Sequence, residues 1–90
     1  MKDLETIRAE IARIDSEIVR LIDERLHLAE EVAEVKTKQG LPIVNQEVEK
    51  KVVERYRSLA AERGIDEETA QKLARLLIDA AVARENEVIR

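Results

Sequence analysis

The chain has no cysteine, no phenylalanine and no tryptophan, and Tyr56 and His27 carry its only aromatic rings. Without cysteine there is no disulfide, no thiolate nucleophile and no Cys-ligated zinc. Without aromatics the core must be aliphatic, and there is no platform on which nucleobases could stack. No charge of one sign is massed anywhere. The net charge is -4, with cations and anions interspersed, which argues against a nucleic-acid or anionic-membrane surface. No apolar stretch approaches the length of a membrane span and the N-terminus lacks a signal-like apolar run, so the expected location is the cytoplasm. Internal repeats, P-loop, HExxH, GxSxG and calcium-loop patterns are also missing, and a single histidine makes neither a triad nor a metal site. No cofactor or metal is expected.

Breakers are scarce too: two glycines, Gly40 and Gly64, and one proline, Pro42. The first forty residues therefore read as one unbroken helix ended by Gly40, which favours a left-handed exit, and by Pro42, which cannot continue it. Along it Leu4, Ile7, Ile11, Ile14, Ile18, Leu21, Leu28, Val32 and Val35 recur in steps of three and four, forming one apolar seam. Such a helix runs about 55 Å, whereas a compact 90-residue domain has a radius of gyration of about 12 Å. It must protrude from its own chain, and a second copy is the simplest cover for the seam left bare.

One seam position is occupied by Arg25, where an aliphatic residue belongs. Arg8 and Lys36 lie one step off the same seam, while Arg13, Arg20 and His27 fall on the opposite face. Burying an unpaired cation is costly, so each needs a carboxylate of its own protein, a stem laid on apolar surface with its head in water, or an anion from outside. Any one of the three is compatible with an internal pair; together they point to an anion site.

After Gly40, Leu41 and Ile43 are expected to tuck inward. Asn45 caps a second helix with Glu47 and Glu49 in its first turn, the stripe Val48, Val52, Val53, Tyr56, Leu59 and Ala60, and Gly64 as its stop. Glu49 sits at the edge of that stripe, where the residues by themselves favour an ordinary first-turn acid. Asp66 caps a third helix whose stripe is Ala70, Leu73, Ala74, Leu77, Ala80, Ala81 and Val88, widened by Leu76 and Ile78. Its small residues around Ala81 allow close helix approach or room for a ligand. Glu85 continues the line of Ala74, Ile78 and Ala81, either pointing along the apolar flank or pairing with Arg84. The whole predicts one all-α domain, residues 1–90, with a long first helix and two shorter ones.

Ile7-Arg8-x-x-Ile11-x-x-Ile14-Asp15, Asp23-Glu24-Arg25-x-x-Leu28-Ala29, Val35-Lys36 and Gly40-Leu41-Pro42-Ile43 followed by Glu49 resemble the all-α chorismate mutases across essentially the whole chain. The resemblance implies an intertwined homodimer with composite sites that rearranges chorismate to prephenate in aromatic amino-acid biosynthesis. It implies that Arg25 and Lys36 hold substrate carboxylates, with Lys36 also reaching the ether oxygen. Arg8 of the second chain completes the clamp, Glu49 accepts from the ring hydroxyl with Asn45 beside it, and Glu85 donates to the ether oxygen. Spacing agrees: Arg25 and Lys36 are about 16 Å apart along the rod and can bracket a small dianion, whereas Arg8 and Arg25, about 25 Å apart, cannot grip one small molecule from one chain. A donating Glu85 must be protonated, which predicts a pKa raised by desolvation.

Two positions depart from the family's pattern. Val48 stands where an arginine is common and Ala81 where a small hydroxyl residue is frequent, so the substrate-binding set loses a cation and a hydroxyl, with Lys50 and Lys51 poorly oriented to replace the former. Two alternatives stay open: isochorismate-pyruvate lyase chemistry on the same fold, and a non-catalytic helical dimerisation or regulatory module. Docking onto another enzyme of the pathway is compatible with either catalytic reading.

Overall fold

A computed structural model describes residues 1–89. Three helices follow in order: α1, Leu4–Gln39; α2, Gln46–Glu62; and α3, Glu67–Val88. Each begins on a capping side chain that accepts from the amide three residues on: Asp3 from Thr6, Asn45 from Val48 and Asp66 from Thr69. At Gly40 (φ 68°) the amides of Gly40 and Leu41 reach back to the carbonyls of Thr37 and Lys36. At Gly64 (φ 70°) those of Gly64 and Ile65 reach Ala61 and Ala60 in the same way. These paired bonds satisfy carbonyls that the helix leaves open and turn the chain sharply. A Cβ would meet nothing at either glycine, so the positive φ alone selects the residue.

α3 packs against both of the others. It runs antiparallel to α2, tied by Arg75 to Glu49 and by Arg57 to Glu67. It runs in the same direction as the C-terminal part of α1, with Arg25, Glu30 and Lys36 meeting Leu77, Arg84 and Glu85 in turn. The core is small and aliphatic: Ala29 and Ala33 of α1, Val52 and Ala60 of α2, and Ala70, Ala74, Leu77 and Ile78 of α3. Alanines at the crossings let the helix backbones approach closely. The molecule is elongated, 57 × 24 × 14 Å with a radius of gyration of 16.4 Å, well above the roughly 12 Å of a compact domain this size.

The apolar seam of α1 is not what α3 covers. The covered stripe is Ile22, Arg25, Leu26, Ala29, Glu30, Ala33 and Lys36, rotated next to the seam, while all nine aliphatic seam residues from Leu4 to Val35 are exposed. The expectation that part of the seam stays bare is thus exceeded, because α3 needs small residues to approach and takes the alanine side. Leu41, expected inward, is exposed while Ile43 is half-buried; Val48, Leu59, Leu73 and Leu76 likewise lie outside the core. Burying an aliphatic side chain of this size contributes roughly 1.5–3 kcal/mol, so nine of them represent a free energy comparable with the entire stability of a small domain. No helix among the described residues is long and apolar enough to cross a membrane.

Candidate functional site

Where the three helices meet, a cavity of about 280 Å³ opens between them, near the lower end of ordinary small-molecule sites. Its walls are mostly aliphatic: Leu28, Ala29 and Val32 from α1, Ile43 from the connection, Val48 and Val52 from α2, Ile78, Ala81 and Val82 from α3. Five polar side chains are set among them, those of Arg25, Lys36, Asn45, Glu49 and Glu85. Every residue singled out in the sequence as catalytic or substrate-binding therefore lines one cavity, except Arg8. That residue sits exposed in the part of α1 that protrudes from the three-helix junction.

Arg25 is half-buried and donates from Nη1 to the Leu77 carbonyl at 3.3 Å. Lys36 donates from Nζ to the Ile43 carbonyl at 2.6 Å, a bond made possible by the turn at Gly40 that brings the connection back over the helix. Both cations are thus held by neutral carbonyls, which fix them without cancelling their charge. The Lys36 ammonium also lies 3.8 Å from Glu85 Oε1.

Glu85 is the one buried charged residue among those described, at 5% exposure, and its Oε1 has no hydrogen-bond partner among them. Arg84, its neighbour in sequence, pairs with Glu30 and Glu87 instead. Burial pushes the Glu85 carboxyl above the usual glutamate range, and the Lys36 ammonium opposes part of that rise. The direction agrees with the expectation from sequence. An orphaned buried carboxyl beside a cation, aimed into a cavity, is a costly arrangement unless a ligand completes it.

Glu49 is half-buried and accepts from Arg75 Nη1 at 3.1 Å. Asn45 lines the cavity and commits its side-chain oxygen to the Val48 amide as the helix cap. Lys50 pairs with Glu47 on the exposed side of α2. Sequence reasoning did not identify Arg75, nor the carbonyls of Leu77 and Ile43. The carbonyls carry no signal in residue identity. Arg75 had one, a cation beside the α3 stripe, but its partner lies 26 positions away on another helix.

Leu28, Val32 and Val48 line the cavity yet are exposed, and Leu28 and Val32 belong to the bare seam. The open side of the cavity and the uncovered face of α1 are one continuous surface. Chemically, the site offers two fixed cations for an anion, the side-chain oxygens of Glu49, and one carboxyl, Glu85, that burial shifts towards its protonated form. Among the described residues no group of His, Cys, Asp and Glu is arranged to hold a metal.

A family model described as chorismate mutase type II matches residues 7–86. A chorismate mutase of Methanocaldococcus jannaschii is 40% identical over 79 residues, spanning 88% of this chain and 80% of that protein. A bifunctional chorismate mutase/prephenate dehydratase of Aquifex aeolicus is 44% identical over 62 residues, or 69% of this chain and 17% of that protein. The T-protein of Haemophilus influenzae is 32% identical over 87 residues, 97% of this chain and 23% of its own length. This chain thus spans about a fifth of the two longer relatives.

Proposed function

The chain belongs to the type II chorismate mutase family, and from that premise we propose that it rearranges chorismate to prephenate in a cavity completed by a second copy of itself. The observation that carries the reading is Glu85: a buried carboxyl whose Oε1 has no hydrogen-bond partner among the described residues, set 3.8 Å from the Lys36 ammonium in a cavity whose other cation is Arg25. A pericyclic shift requires no nucleophile and no cofactor. It requires the substrate folded into its reactive shape and donors aimed at the ether oxygen, which gains negative charge as the C–O bond breaks.

In this reading Arg25 and Lys36 take the substrate's carboxylates, exchanging neutral carbonyls for anions, and Lys36 also reaches the ether oxygen. Glu85, protonated, is the second donor to that oxygen. Ionised, it repels the charge developing there, so activity falls as pH rises through its raised pKa. Glu49 accepts from the ring hydroxyl, with Asn45, Val48 and Ala81 forming the adjoining wall. Arg8 arrives from the second chain, whose α1 covers the bare seam and roofs the cavity at Leu28 and Val32. The aliphatic walls exclude water, which strengthens each of these interactions. Residues 1–90 act as one domain, and the Cys-free chain suits a reducing cytoplasm. Fusion in some relatives to a dehydratase makes docking onto another pathway enzyme part of the same proposal.

Loss of chorismate absorbance with the purified protein tests the activity. Turnover is expected, and a bicyclic transition-state analogue should raise the melting temperature. Absence of both would overturn the reading.

A further inference from the structure

Arg75 stands outside the cavity and the proposed reaction does not use it. Its Nη1 donates to Glu49 Oε1 across the α2–α3 interface, and Asp79, one turn further along α3, lies 3.6 Å from the same nitrogen. The Arg75 side chain is 53% exposed, that of Glu49 only 20%. Glu49 forms the wall between two depressions. One is the cavity with Arg25 and Lys36; the other is a surface groove that includes Lys50, Val53 and Arg75.

One carboxylate therefore faces cations on both sides. Left untethered, it is drawn towards Arg25 and Lys36, where it would offset the positive charge needed to hold an anionic substrate. Arg75 pulls from the opposite side and engages one oxygen, leaving the other to accept from a ligand. A guanidinium only donates, so the Glu49 oxygen it engages serves as an acceptor and is held in place by that bond. We propose that Arg75 is a positioning residue that anchors the Glu49 carboxylate at the cavity wall, turned to the substrate's hydroxyl, and keeps it off the two carboxylate-binding cations. This rests on the reading of Glu49 as the acceptor for that hydroxyl.

The test is chorismate kinetics and melting temperature for Arg75→Met, Glu49→Gln and the double variant. Methionine keeps the aliphatic stem and removes the donors. Arg75→Met should lower kcat/KM about tenfold with a melting shift of only a few degrees, because exposed ion pairs contribute little to stability. The double variant should be no slower than Glu49→Gln alone, since the arginine acts only through that carboxylate. Wild-type kcat/KM in Arg75→Met, or effects that multiply in the double variant, would overturn the assignment and leave the role of Glu49 standing. Wild-type kcat/KM in Glu49→Gln would overturn both.

Discussion

The two ends of α1 share one helix and one apolar period but are put to different uses. From Ile22 onwards α3 covers the alanine stripe, and the polar groups beside it, Arg25 and Lys36, are fixed by carbonyls at a cavity. From Leu4 to Leu21 the same periodicity continues with nothing over it: Leu4, Ile7, Ile11, Ile14, Ile18 and Leu21 are all exposed, and so is Arg8. Periodicity reports that a helix face is apolar. It does not report whether the same chain covers that face, and in α1 all nine seam residues stay exposed while the alanine stripe beside them is covered.

The contrast is broken most severely at the covered end by removing a fixed cation. Lys36→Ala should lower kcat about 100- to 1,000-fold, the range typical of losing one preorganised donor to a developing oxyanion, with little change in melting temperature. Stopped assays beside a thermal melt separate the two effects. At the bare end, Ile14→Glu lies far from the cavity, so a free-standing monomer would tolerate it. On the dimer account it places a charge in each copy of a buried seam, which should shift sedimentation towards monomer and lower activity at least tenfold.

These two outcomes also mark how much was legible in the sequence. The caps at Asn45 and Asp66 and the stops at Gly40 and Gly64 were legible because each depends on a local rule satisfied within a few residues. The cavity-lining set was legible because Arg25 broke a pattern and Glu85 continued one. The rotation of the covered stripe was not, since Ala29 and Ala33 carry a weak apolar signal beside Leu28 and Val32, and only helix packing makes the small residues preferable. Leu73 and Leu76 misled for the converse reason: strong apolar residues on α3 that stay exposed among the described residues.

A smaller effect sharpens the boundary between stripe and seam. Ala33 is fully buried between α1 and α3, so Ala33→Leu should destabilise by about 1–3 kcal/mol in urea unfolding, through overpacking. The same change at an exposed position such as Ala12 should be nearly neutral.

The smallest effect is Glu85→Gln. Because burial raises the folded-state pKa of Glu85, its ionisation opposes folding. That cost is absent below the ordinary glutamate pKa and develops fully once pH passes the raised value. Glu85→Gln should therefore melt above wild type in alkaline buffer, with the gap closing on acidification, and its rate should lose the alkaline fall.

The proposed composite site is tested most directly by mixing the Arg8→Ala and Arg25→Ala variants, each expected to be inactive, under conditions that exchange subunits. Each mixed dimer joins an intact Arg25 to an intact Arg8 in one of its two sites, and half of all dimers are mixed, so about a quarter of wild-type activity should return. A mixture no more active than its separate components would contradict a site shared between chains.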